Sequence, residues 1–186
     1  DKLTDDYGLA KSITLLKAAR AEAKNSLLFD NGDLLQGSPL GDWVARIKPL
    51  AAGAVHPAYK VLNAIGVDAA NIGNHEFNYG LPLLKAYSRD ADVPVRGANV
   101  ISERTGRPYL RPYTMVTRKV AGGPPVTIGI VGVTTPGSAI WDKANVEGKL
   151  RFEDMVATAA KWVPIVRARG ADVVVATPGR LLDLMD

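Results

Sequence analysis

The 186-residue chain is 47% hydrophobic and 23% charged, the composition of a globular protein with one well-buried domain and too short for two. No apolar run is long enough to cross a bilayer, the acidic start Asp1 to Tyr7 has no secretory-signal pattern, and the lack of cysteine excludes disulfides and thiolate metal sites. The net charge of +4 comes from scattered Lys and Arg; Arg104, Arg107, Arg111, Arg118 and Lys119 form a loose group that reads as solvated loop, not as a nucleic-acid stripe.

A first helix is predicted from Gly8 to about Lys24, with Leu9, Ile13, Leu16 and Ala19 on one face and Asn25 at its end. Leu27-Leu28-Phe29 then reads as a short aliphatic strand running into the loop Asn31-Gly32-Asp33, which continues through Gln36, Gly37 and Pro39. A second helix is predicted over Pro57 to Ile65, stopped by Gly66, with His56 read as a capping or surface residue at its start. A strand over Ala69 to Ile72, a Gly-rich loop from Gly73 to Gly80 and a helix over Leu81 to Ser88 repeat the strand–loop–helix unit. Two such units imply an α/β layout with a partly parallel sheet. Beyond Pro94, strands are expected over Pro94 to Val100, Tyr113 to Val120 and Val126 to Val133, arranged as hairpins, which makes the sheet mixed. A helix over Phe152 to Arg169, with a kink or break at Pro164, leads through Gly170 into a buried strand at Asp172 to Ala176.

In open α/β sheets ligands collect beyond the carboxyl ends of the strands. Asp33 and the segment Asn74-His75-Glu76 both stand there, each beside a glycine that lets the backbone approach an ion or phosphate closely. Asp33 offers a hard carboxylate oxygen, Asn74 a carbonyl oxygen and His75 an imidazole, a donor set suited to Zn²⁺, Mn²⁺ or Co²⁺. An aspartate between two such ions can bridge them, and a histidine near a leaving oxygen can donate a proton. Each residue alone has an ordinary reading as a turn or a hydrogen-bonded side chain; the two loops together carry the functional one.

The stretch Phe29-Asp30-Asn31-Gly32-Asp33-Leu34-Leu35-Gln36-Gly37 resembles the second motif of the calcineurin-like metallophosphoesterases, and Gly73-Asn74-His75-Glu76-Phe77-Asn78-Tyr79-Gly80 resembles their third and more specific one. The 5′-nucleotidase branch usually has aspartate where Asn78 stands. Asn78-Tyr79-Gly80, like Ile140 to Gly148, looks like the 2′,3′-cyclic-nucleotide 2′-phosphodiesterase/3′-nucleotidase branch. The likeness spans roughly residues 7 to 176.

The resemblance implies a four-layer αββα sandwich with mixed sheets, here incomplete, and a pair of divalent ions as cofactors. It implies Asp33 as the bridging metal ligand, Asn74 as a ligand to one metal, and His75 as the catalytic residue that contacts phosphate. Asn74 and His75 are also the implied substrate contacts; Glu76 is implied to be structural, and Asn78 to be no carboxylate orienter. Nucleotides are the implied substrate, the periplasm the implied compartment, and no membrane or nucleic-acid partner is implied. The family's Asp-x-His opening motif and two later histidine motifs are missing, and the chain has 2 histidines in all. With about four protein ligands needed per metal, two-metal binding and activity are expected to be impaired, leaving a non-catalytic truncated or chimeric scaffold as the alternative.

The run Ala176-Thr177-Pro178-Gly179-Arg180 resembles the Thr-Pro-Gly-Arg motif of DEAD-box RNA helicases, although no Walker A loop accompanies it. Thr177 as N-cap and Pro178 at the first helical position also make an ordinary helix start. Residues 1–176 are therefore expected to form the N-terminal part of a metallophosphoesterase domain. Residues 177–186 are expected to form a helical tail, whose helicase-like run is spliced in, misassembled or a chance match.

Overall fold

The computed structural model describes residues 8–178, so the tail from residue 179 onward, Arg180 included, lies outside the described residues. The elements run α1 (Leu9–Glu22), β1 (Phe29–Asp30), α2 (Pro39–Asp42) continuing as a π-helical turn (Trp43–Ile47), α3 (Pro57–Ile65), β2 (Ala69–Asn71), α4 (Leu81–Asp90), β3 (Val95–Arg96) and β4 (Val100–Ser102). They continue as β5 (Tyr113–Arg118), β6 (Val126–Val133), α5 (Ser138–Trp141), α6 (Lys143–Val146), β7 (Leu150–Phe152), α7 (Met155–Ala168) and β8 (Val173–Pro178).

Among the described residues three sheets result: a parallel β1-β2-β3, an antiparallel β4-β7 pair, and β5-β6-β8, in which β5 is antiparallel and β8 parallel to β6. Because successive strand residues face opposite ways, the packing partners reveal the layers. Ala70 and Val95 share a core with Tyr59 and Leu62 of α3 and Leu84 and Tyr87 of α4. Ala69 faces the other way and meets Ile128 and Ile130 of β6. The opposite face of β6 presents Val131 and Val133 to Met155 and Val166 of α7. The order is therefore helix, sheet, sheet, helix: a mixed α/β protein in the αββα arrangement, with sheets that stay open. Among the described residues no helix is long and apolar enough to cross a membrane.

Several expectations change here. Ile13, Leu16 and Arg20 of α1 are half-buried, while Leu9 and Ala19 are exposed; α1 lies on the surface, tied down by Arg20, whose Nη1 donates to the carbonyls of Ile65 and Gly66 at the end of α3. The Pro94 to Val100 stretch is two strands in different sheets, since β3 joins β2 in parallel and β4 pairs with β7. Phe152 belongs to β7, so α7 starts at Met155, where Asp154 caps it by accepting from Ala157 N. α7 runs unbroken through Pro164, because Pro164 and Ala160, whose carbonyl loses its helical partner, are both exposed to water. β8 is not buried: Val173 is 45% exposed and Ala176 is exposed too. Thr177 and Pro178 extend β8, paired with Gly132 and Val133, and do not open a helix. Arg118, assigned to a solvated loop, lies at the end of β5 and pairs with Asp68.

His56 is the N-cap of α3, as expected, but is buried and not on the surface. Its Nδ1 accepts from Ala58 N at 3.2 Å, and its ring packs 4.7 Å from that of Tyr87. Burial pushes its pKa down to about 4. Below the ordinary histidine range the unfolded chain therefore gains a proton that the folded chain refuses, so stability falls as pH drops from about 6.5 toward 4. Between pH 7 and pH 5 this one residue is expected to cost about 2 kcal/mol of unfolding free energy. Urea titrations of wild type and His56→Asn, which keeps a capping side chain, should differ in pH slope by that amount; equal slopes would refute the assignment.

Candidate active site

β1 and β2 are parallel neighbours, with Phe29 opposite Ala69 and Asp30 opposite Ala70. Their carboxyl ends thus lie side by side, and the loops that follow are pressed together backbone to backbone. At Gly32, with φ 91°, an added Cβ would lie 2.2 Å from Gly73 N; at Gly73 it would lie 2.3 Å from Asp33 Oδ1. Asp33 itself has φ 61°, the only non-glycine residue with positive φ among those described. That left-handed conformation costs roughly 1 kcal/mol and persists only where the surroundings impose it.

Glu76 imposes it. Its Oε2 accepts from Asp33 N at 2.7 Å and Gly73 N at 2.6 Å, and its Oε1 accepts from Leu34 N at 2.6 Å and Leu35 N at 3.1 Å. The side chain is fully buried. Burial pushes its carboxyl above the usual carboxylate range, opposed by the N–H donors from Asp33, Leu34, Leu35 and Gly73. Asp33 returns the link, since His75 N donates to its Oδ1 at 3.0 Å. Glu76 is thus structural, as its motif implies.

The structure brings Asp33, Asn74 and His75 together in these two loops. Asn74 is buried, and its Oδ1 has no hydrogen-bond partner. A buried, unpaired carbonyl oxygen is costly, and a hard cation is one group that would satisfy it. Asp33 in the facing loop offers a carboxylate, so these two oxygens suit a divalent ion. Among the described residues, no group of three or more His, Cys, Asp or Glu is placed to hold a metal.

His75 makes its hydrogen bonds through Nδ1, which lies 2.5 Å from Gln36 Oε1 and 2.9 Å from Asn78 Oδ1. Asn78 Nδ2 in turn donates to Asp142 Oδ1 at 2.5 Å. Burial pushes Asp142 up to about 6, with the charge of His75 and the bond from Asn78 pulling the other way and Asp33 adding to the rise. Gln36 and Asp142 were not among the residues predicted from sequence. Both stand inside stretches that carry the family resemblance, and that was the only signal pointing to them. A cavity of about 490 Å³ beside β3, lined by Arg96 and Arg111 among others, holds none of these residues.

No protein-family model matches the chain. It is 48% identical over 182 residues to the 2′,3′-cyclic-nucleotide 2′-phosphodiesterase/3′-nucleotidase of Yersinia enterocolitica, covering 96% of this chain and 28% of that protein. It therefore spans less than a third of this curated relative. The crystal structure of calcineurin-like phosphoesterase YfkN from Bacillus subtilis superposes with TM-score 0.89 at 38% identity, covering 96% of this chain and 55% of that one. The 5′-nucleotidase precursor from Thermus thermophilus gives TM-score 0.71 at 28% identity, over 92% of this chain and 31% of that one.

Glu76→Gln is expected to lower the unfolding free energy by about 3 kcal/mol, because the new NH₂ would face two N–H donors and accept from neither. Urea denaturation checks this; a loss below about 1 kcal/mol would mean the loops hold each other without the carboxylate.

Proposed function

The chain is a homologue of the bacterial 2′,3′-cyclic-nucleotide 2′-phosphodiesterase/3′-nucleotidases with the fold of the calcineurin-like phosphoesterases, and from that premise we propose that it carries part of the active site of a metal-dependent phosphoester hydrolase acting on nucleotides. The parent reaction would open a 2′,3′-cyclic phosphate to the 3′-nucleotide and then release phosphate from the 3′ position. Export to the periplasm belongs to the same proposal, as does the assignment of residues 1–176 to the N-terminal part of the catalytic domain.

The observation that supports this reading most is the unpaired, buried Asn74 Oδ1 beside Asp33, in loops locked by Glu76. Asp33 and Asn74 would hold a divalent cation, Zn²⁺, Mn²⁺ or Co²⁺ by the chemistry of their oxygens. Such an ion supplies positive charge against the phosphoryl oxygens and acidifies a water nucleophile. His75 has Nδ1 engaged by Gln36 and Asn78, which leaves Nε2 as the ring nitrogen available to the phosphate. There it would donate a hydrogen bond to a phosphoryl oxygen or a proton to the leaving oxygen. The rigid Glu76 anchor lets neither group drift as charge develops, the condition under which fixed dipoles are worth most.

A second reading has its own observation. The described residues offer no cluster of three or more metal-ligating His, Cys, Asp or Glu, which favours a folded α/β scaffold without chemistry.

Metal-dependent hydrolysis of a chromogenic phosphodiester separates the two. With Mn²⁺, Zn²⁺ or Co²⁺ added, turnover is expected, His75→Ala is expected to lower it by roughly 100-fold or more, and Asp33→Ala to lower it together with metal uptake in equilibrium dialysis. Absence of both turnover and metal uptake in the unmutated chain would establish the scaffold.

A further inference from the structure

We propose that Asp142 is a positioning residue for His75: acting through the Asn78 amide, it fixes the imidazole proton on Nδ1 and leaves Nε2 to face the phosphoryl group. The proposal deepens the reading of His75 as the phosphate-facing residue and rests on it.

The argument turns on which groups can donate. An ionised carboxylate only accepts. Asp142 Oδ1 lies 2.5 Å from Asn78 Nδ2, so the amide must turn its NH₂ toward Asp142. Its carbonyl Oδ1 is thereby aimed the other way, 2.9 Å from His75 Nδ1. A carbonyl oxygen also only accepts, so Nδ1 must carry the hydrogen. Gln36 Oε1, 2.5 Å from the same nitrogen, is the second acceptor and demands the same tautomer. Without the carboxylate, the Asn78 amide could present either end to the ring, and Gln36 could rotate with it. With the carboxylate, one orientation survives.

Asp142 is poorly placed for a purely structural role. It sits between α5 and α6, 3% exposed, and Asn78 is the one side-chain partner seen for it among the described residues. Its Oδ2 is buried without any partner. A carboxylate in that state destabilises the fold, unlike Glu76, both of whose oxygens are saturated. The bond to Asn78 is charge-assisted, roughly twice as strong as a neutral one, so the negative charge stiffens the amide that holds His75. Groups that orient a functional imidazole through its other ring nitrogen commonly govern its tautomer.

The chain's 2 histidines make the test direct. His56 Nδ1 accepts from Ala58 N, so His56 must carry its proton on Nε2 and serves as an internal reference of the opposite tautomer. Long-range ¹H–¹⁵N correlation spectra of the full labelled chain, without metal or substrate, at about pH 8.5 and so above the ordinary histidine range, are expected to show His75 as the Nδ1–H form and His56 as the Nε2–H form. His75→Gln assigns the signals. Asp142→Ala is expected to convert His75 to a mixture of tautomers, and adding Asn78→Asp, which puts a carboxylate directly on Nδ1, is expected to restore the Nδ1–H form. Should the alanine variant unfold, Asp142→Asn tests the same point: uncharged and able to present either end to Asn78, it is also expected to give a mixture. Where turnover is measured, Asp142→Ala should lower kcat roughly 10- to 100-fold while KM stays within about threefold. An Nε2–H tautomer in the unmutated chain, or an unchanged Nδ1–H tautomer in a folded Asp142 variant, overturns the proposal. Because the tautomer is read without metal or substrate, the relay can fail while hydrolysis stands, and the reverse.

Discussion

The centre of this protein is organised around one buried carboxylate. Glu76 gathers the N–H groups of Asp33, Leu34, Leu35 and Gly73, and in doing so welds the loop after β1 to the loop after β2. The N–H groups of Leu35 and Gly73 would otherwise be buried donors in need of partners. The close approach this demands explains the glycines: a side chain at Gly32 or Gly73 would collide with the facing backbone or with Asp33. It also explains why Asp33 is held left-handed. A shorter acid could not reach both loops, and an amide could not accept from donors on both of its ends. The position of Asp33, and through it the backbone of His75, follows from this arrangement.

A second set of polar bonds brings distant chain segments to the same place. Thr134, just beyond β6, donates its hydroxyl to the carbonyl of Ile72 at 2.6 Å. Asn99 holds the same residue from the other side, accepting from Thr134 N at 2.8 Å and donating to Thr134 O at 2.6 Å. Asn71, at the end of β2, donates to the carbonyls of Val133 and Thr177 and so stitches the two sheets together where an added Cβ on Gly132 would strike its Oδ1 at 2.6 Å. The segment leaving β6 is therefore pinned beside the mouth of the Glu76 loops. α5 and α6 grow from that segment, and Asp142 between them reaches Asn78.

This geometry shows what the sequence could and could not convey. Elements defined by local chemistry were legible: α3 begins at His56-Pro57 and ends at a left-handed Gly66, as read. The strand ends carrying Asp33 and Asn74 were legible for the same reason, since an apolar run followed by glycine and a polar side chain is a local pattern. Features set by distant partners were not. Phe152 reads as the start of a helix until β4 pairs with it. β8 reads as buried because Val173, Val174 and Val175 are apolar, yet whether a strand is covered on its outer face depends on elements elsewhere. Pro164 reads as a helix breaker, but on a solvent-facing side water replaces the lost bond. Asp142 lies 64 residues from Asn78 and Gln36 lies 39 from His75, separations that no spacing rule covers.

Buried polar chemistry is used in two opposite ways. Glu76 has an N–H partner for every demand of its oxygens, and its burial yields a rigid frame. Asn74 Oδ1, in the loop Glu76 holds, and Asp142 Oδ2, behind Asn78, are buried with no hydrogen-bond partner. Side chains ordinarily turn such oxygens toward water or a donor; here the backbone of Asp142 is tied to Ser138 and Asn145, and Asn74 stands between Gly73 and His75, whose N–H groups are held by Glu76 and Asp33. The saturated carboxylate thus fixes the loop that carries the unpaired Asn74 oxygen. Unsatisfied acceptors held in place are ready to meet a cation or a proton without reorganising.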